Sequence, residues 1–125
     1  MPSICPLAWM SHPKLPGVEI CNLGEALRAG LPQRVLVRLE PRAEIPLHTH
    51  TVDAKMLIVA GDGFVLSRDA TNGRAVTQGD GVFFERNAPH GFRAGDAGLT
   101  FITDNGGIVD ERSDDWDISL VPMPA

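Results

Sequence analysis

The sequence predicts an all-β fold, a sandwich or barrel of short strands, and three observations carry that expectation. Thirteen glycines and ten prolines in 125 residues punctuate the chain too often for long helices. From Arg34 onward the hydrophobic pattern alternates with a period of two, as in a half-buried strand. Strand-like runs then recur with turn residues between them at intervals of about 8–12 residues, the spacing of sandwiches and barrels and not of βαβ units.

Residues 1–17 hold Pro2, Pro6, Pro13 and Pro16 beside Trp9 and Met10, and read as an irregular arm whose apolar residues pack on the body. Asn22 to Gly30 reads as one or two helical turns, with Asn22 as cap, Glu25 three residues on and Gly30 as stop. Val35, Val37 and Leu39 alternate with Leu36, Arg38 and Glu40, the first clear strand. Further strands are expected at 44–50, 55–60, 63–68, 74–78, 81–85, 90–94 and 98–104, with another at 116–121. Gly61-Asp62-Gly63, Ala70-Thr71-Asn72-Gly73 and Gly79-Asp80-Gly81 separate them, and Asn72-Gly73 is a hairpin signal because both residues accept positive φ. The organisation expected is an N-terminal arm with a short helix (1–33), a β-barrel (34–104) and an acidic C-terminal extension (105–125) that packs on the barrel or on a partner.

The formal charge is −5, and it is unevenly placed. Residues 104–125 carry six acids against the single base Arg112, so the first 103 residues balance at ten and ten. A neutral body with an acidic tail lacks the basic face of a nucleic-acid binder and the polybasic patch of a protein that adheres to anionic lipid. No apolar run approaches the roughly 20 residues of a membrane span. Met1-Pro2-Ser3-Ile4-Cys5-Pro6 lacks the basic and apolar regions of a signal peptide, so a cytoplasmic location is expected. Cys5 and Cys21 then read as buried free thiols, not as a disulfide.

Chemistry concentrates in three of the four histidines. His48-Thr49-His50 lies on an expected strand, where a spacing of two puts both imidazoles on one face. His90 follows Pro89 and opens the next strand, behind Gly79-Asp80-Gly81-Val82-Phe83-Phe84. Two imidazoles from one strand and a third from another can form a facial set of nitrogen ligands with positions left open for water and substrate. A His-x-His pair on an outward face would instead be plain solvated surface; His90 is what argues against that.

At these residues the sequence resembles the cupins. Their first motif, G-x5-H-x-H-x(3,4)-E-x6-G, is matched at His48, His50 and Gly61, with Arg42 at the first glycine and Ala54 at the glutamate. Their second, G-x5-P-x-G-x2-H-x3-N, is matched at Gly79 and His90, with Glu85, Asn87 and Ala94 at the other three positions. The resemblance covers about residues 34–104 and implies a small jelly-roll β-barrel, a divalent metal (Fe, Mn, Ni or Zn) on His48, His50 and His90, and a homodimer. The family's carboxylate ligand is missing at Ala54, so the chain is similar to three-histidine cupins that cleave diketones or oxidise thiols with non-haem iron. Three neutral ligands leave the ion its full charge and favour an anionic ligand or a developing oxyanion.

Asp53 and Glu85 are the acids near enough to restore a carboxylate, although strand parity turns Asp53 outward if Ala54, Met56 and Ile58 face inward. Lys55 takes the ligand position under the longer motif spacing; it could anchor a substrate carboxylate at the pocket rim or point outward and pair with an acid. Met56, Phe84 and Phe92 are the remaining candidate pocket residues, with Ile58 and Phe101 as inward neighbours that also read as plain core. Arg38 and Arg93 could hold an anion at the mouth, or pair on the surface. His12, in the Pro-flanked arm outside any motif, reads as non-functional.

The chain has no tyrosine, so the Tyr-dependent mechanisms of cupin epimerases and sulfonium lyases cannot run in their usual form. It also lacks a nucleophile elbow and a phosphate-binding glycine loop. In the tail, Trp116, Ile118, Leu120 and Val121 are too apolar to stay in water and are expected to fold back, while Asp104 could line the cavity mouth. The function expected is a metal-dependent, dioxygenase-like or Lewis-acid enzyme on a small molecule. The alternatives are a non-catalytic ligand-binding or sensing module and a structural dimer with relict histidines.

Overall fold

The computed structural model describes residues 7–23, 34–70, 72–104 and 119–120. Those residues form nine strands: β1 (Met10–Ser11), β2 (Val18–Asn22), β3 (Arg34–Leu39), β4 (Glu44–Thr49), β5 (Ala54–Ser67), β6 (Arg74–Thr77), β7 (Gly81–Phe84), β8 (His90–Asp104) and β9 (Ser119–Leu120). The fold is all-β, and every pairing is antiparallel. β8 is the common wall. Along one edge it pairs β3 (Leu39↔Leu99 to Arg34↔Asp104) and then β4 (Glu44↔Arg93 to His48↔His90). Along the other edge it pairs β5 over nearly its whole length. The sheet extends outward through β2 and β1 from β3, through β9 from β4, and through β6 and β7 from β5.

The period-two pattern of the sequence becomes the inner face of this rolled sheet. Val35, Val37 and Leu39 are buried between exposed or half-buried neighbours, as are Ala54, Met56 and Ile58 between exposed Lys55 and Leu57. Phe92 and Phe101, from the two halves of β8, stack at 4.6 Å in the middle of the core.

The expected strands 55–60 and 63–68 are one strand, and so are 90–94 and 98–104. Gly61-Asp62-Gly63 and Gly95 to Gly98 bend the chain without ending the ladder, because the pairing shifts register there and resumes. A Cβ on Gly61 would meet the Gly98 carbonyl, and one on Gly63 the Arg93 carbonyl, so only glycine lets the strands cross this closely. Val18–Asn22, read as arm and helix cap, is instead a strand in register with β3; the rest of the expected helix, residues 24–33, lies outside the described residues. Within the arm, Leu15 is buried and Trp9 packs under the Arg38 guanidinium at 3.9 Å. Residues 105–118 also lie outside the described residues; beyond them Ser119 and Leu120 pair with Thr49 and His48.

Candidate metal centre

An irregularity in β4 aims the histidine pair inward. Ile45 pairs Phe92 and His48 pairs His90, so three steps along β4 match two along β8. The extra residue falls at Pro46-Leu47, where proline has no N–H to give to a ladder. Before it Ile45 faces the core; after it His48 and His50 do, and all three line one cavity. Simple alternation from Ile45 would have turned both histidines outward.

The third imidazole is brought in by two further devices. Gly91 allows close approach, since a Cβ there would lie 2.5 Å from the Ile45 carbonyl oxygen. The turn Glu85 to Ala88, closed by an Ala88 N–H to Glu85 carbonyl bond of 3.1 Å, is tied to the His50 segment. Asn87 N–H donates to the His50 carbonyl at 2.8 Å, and Arg86 N–H to Asp53 Oδ1 at 2.8 Å. Asn87 has φ 63°, and Arg42, between Glu40 and Ala43 in another tight turn, has φ 64°. Both stand where the cupin motifs have glycine, so the turns persist without the residue that makes them cheap.

The result is a compact cluster of His48, His50 and His90, all buried, whose ligating atoms lie within 4.8 Å of one another. Their ring centroids are 4.3–5.1 Å apart. His48 Nδ1 lies 2.7 Å from the Pro46 carbonyl oxygen and His90 Nδ1 lies 2.9 Å from that of Ala88. A carbonyl oxygen only accepts, so each Nδ1 carries the hydrogen and each Nε2 keeps a lone pair for another partner. His90 Nε2 is buried with no hydrogen-bond partner among the described residues. Burial, and then the neighbouring His90, pushes the His48 pKa down to about 3; burial also pushes His90 down to about 4. Both rings are therefore neutral in neutral water, the form in which imidazole can ligate. Phe84 stacks on His90 at 4.2 Å with the planes 11° apart, which fixes that ring's orientation.

The adjoining cavity is narrow, about 40 Å³. Its lining includes Met56, Phe92, Phe101 and Thr103 from the barrel strands and Leu15, Val18, Ile20 and His12 from the arm and β2. Met56 and Phe92 line this cavity, and Phe84 stacks on His90 without belonging to the lining. Lys55 is on the exposed outer face beside Arg34 and Asp104, away from the cavity. Asp53 is exposed and bonded to the Arg86 amide, Glu85 is exposed, and among the described residues neither belongs to the histidine cluster. Arg38 pairs Glu19, Arg93 lies over Phe64 and donates to the Asn72 carbonyl, and Asp104 pairs Arg34. Cys21 is buried and in no disulfide, and Cys5 lies outside the described residues. His12, read as a bystander, lines the cavity, and nothing in its sequence surroundings signals that placement. A wider depression of about 780 Å³ lies among Arg42, Asp62, Phe64, Arg93 and Asp96. It is open, its acids and Arg42 are exposed, and Arg42 and Asp96 already pair, so the histidine cavity is the better site.

The Cupin domain family profile matches residues 35–103. The chain belongs to the cupin family. This cupin is similar to the polyketide cyclase RemF from Streptomyces resistomycificus, with a TM-score of 0.74 and 15% identity over 99% of this chain and 87% of that one. A cupin-2 domain protein of Rhodospirillum rubrum gives 0.73 and 19% over 98% and 80%. A sugar phosphate isomerase of the cupin superfamily from Silicibacter pomeroyi gives 0.62 and 26% over 72% and 59%. At 15% and 19% identity, the first two likenesses are of fold alone. No functionally curated protein matches the chain.

Proposed function

We propose that this cupin holds one divalent metal ion, iron, manganese, nickel or zinc, on His48, His50 and His90 and acts on a small, oxygen-bearing organic molecule. One observation carries the reading. His90 Nε2 is a buried lone pair without a hydrogen-bond partner among the described residues, beside two more imidazoles within ligating reach. Leaving such a group unsatisfied costs about 1–3 kcal/mol, which a shared cation removes. When bound, the ion supplies Lewis acidity or a position for O2, as in dioxygenase-like chemistry.

The chain's own residues do the rest. The Pro46 and Ala88 carbonyls hold the tautomers, and Phe84 holds the His90 ring. Met56, Phe92 and Phe101 keep water out and give the small molecule an apolar wall. With Ala54 at the carboxylate position, none of the described residues lining the cavity is negative, which suits an anionic or enolate-like ligand. Elemental analysis of protein purified without added metal tests this, with about one equivalent per chain expected, if need be after refilling. Less than about a tenth of an equivalent after refilling with all four metals would overturn it.

The small cavity supports a second reading, a ligand-binding module without turnover. Thermal stabilisation by a metabolite that is not converted favours it; turnover or oxygen uptake that vanishes in His50→Ala excludes it. We further propose a homodimer, supported by Leu57 and Phe83, 46% and 53% exposed on the outer face where β5 pairs β7. Sedimentation at micromolar concentration checks it.

A further inference from the structure

The arm adds a third imidazole to the wall of the cavity that His48 and His50 line. His12 follows β1 and closes its hairpin with β2, its N–H donating to the Val18 carbonyl at 2.8 Å. The hairpin is seated on the barrel by buried Leu15 and Val18 and by the Glu40 N–H bond to the Gly17 carbonyl at 2.9 Å. The ring lines the cavity with His48 and His50, yet it stands outside the group whose ligating atoms gather within 4.8 Å. Its Nδ1 accepts the Lys14 backbone N–H at 3.1 Å. An imidazole nitrogen that accepts carries no hydrogen, so in the neutral ring the hydrogen is on Nε2. His48 and His90 have the opposite arrangement, with hydrogen on Nδ1 and a lone pair on Nε2. His48 and His90 thus turn a lone pair to the centre, while His12 carries its hydrogen on Nε2. The other arm and β2 residues on the cavity wall, Leu15, Val18 and Ile20, are apolar.

We infer that His12 is a positioning residue of the site, whose Nε2–H donates a hydrogen bond to an oxygen or other anionic atom of the small molecule held at the three-histidine centre. This rests on the metal reading above, and it adds the chemical class: a largely apolar molecule presenting one negatively charged or strongly accepting atom to the arm. Anchoring by the β1–β2 hairpin makes the donor part of the folded scaffold, the condition under which one hydrogen bond can select among ligands.

The test uses the full chain loaded with Co(II) and titrated with azide, a small anion, by visible absorption. Co(II) affinity is measured separately by competition with a chelator. His12→Phe keeps a ring and removes the donor; His12→Gln restores an N–H at a similar reach, and thermal melts check that both fold. Azide affinity is expected to fall about tenfold in His12→Phe and to stay within about threefold of wild type in His12→Gln, the size of one hydrogen bond to a charged group. Co(II) affinity is expected to change less than about threefold in either variant. The inference is overturned by azide affinity unchanged in His12→Phe, by equal losses in Phe and Gln variants, or by a wild type whose cobalt spectrum ignores azide. A Co(II) affinity about tenfold weaker in His12→Phe also overturns it, by making His12 a ligand. Wild type that takes up no Co(II) removes the metal reading itself, and this inference with it.

Discussion

Acidifying the metal-free protein from about pH 7.5 to about pH 5 is expected to destabilise it by roughly 2–4 kcal/mol. Burial, together with neighbouring imidazoles, lowers His48 to about 3 and His90 to about 4, against 6.5 for an ordinary histidine. Between those values and 6.5 the unfolded chain binds protons that the folded chain refuses. Stability is therefore full above the unfolded value and is lost as pH falls through that window. At about pH 5, roughly 1.5 units below the unfolded value, each ring contributes about 2 kcal/mol at about 1.4 kcal/mol per unit. Two rings give about 4 kcal/mol, and relaxation around a charged ring lowers the sum toward about 2. Ordinary carboxylates remain ionised at about pH 5, so the histidines dominate the window. The assay is urea unfolding in chelator, followed by tryptophan fluorescence; with a slope of about 1–3 kcal/mol per molar, the midpoint falls by roughly 1–3 M. A midpoint equal at the two pH values within about 0.2 M, or higher in acid, would refute the reasoning that these rings are buried and neutral.

Four further outcomes rest on packing and backbone. Phe92→Ala empties the centre of the core, where Phe92 is 1% exposed, and is expected to cost about 3–5 kcal/mol in denaturant titration. Arg42→Gly is expected to stabilise by about 1 kcal/mol, because a left-handed arginine is strained and its pair with Asp96 is too exposed to matter. Asn87→Gly should gain less, since asparagine tolerates that conformation, and differential scanning calorimetry ranks the two. Gly91→Val pushes β8 off the Ile45 and Pro46 carbonyls and should lower metal affinity by at least about tenfold in chelator competition; unchanged affinity would detach Gly91 from the site.

The alternation at Val35–Leu39 and Ala54–Ile58 was readable because each inward side chain is apolar and each residue spans one step of a regular strand. His48, His50 and His90 were readable because spacing on a strand translates directly into a shared face. The irregularity at Pro46-Leu47 was not, since its location depends on the partner strand, which lies more than forty residues away. Gly61 and Gly63 looked like strand ends; whether glycine ends or bends a strand is decided by what crosses it, here the Gly98 and Arg93 carbonyls. His12 was missed for the same reason: β2 is short, hidden among proline and glycine, and only its pairing with β3 carries the arm to the cavity.

The central position of β8 has a consequence for synthesis. β3 and β4 leave the ribosome early, yet both wait for β8, whose last residue, Asp104, comes about 55–65 residues after their own, Leu39 and Thr49. At roughly 5–20 residues per second, that delay is about 3–13 seconds during which the edges that β8 will cover have no partner. Such non-local pairing is also slow to close once the chain is complete. The nascent chain therefore presents Val35 to Leu39 and the His48 strand to its surroundings for longer than any later strand. This early segment, more than the finished barrel, is where aggregation or chaperone capture would begin.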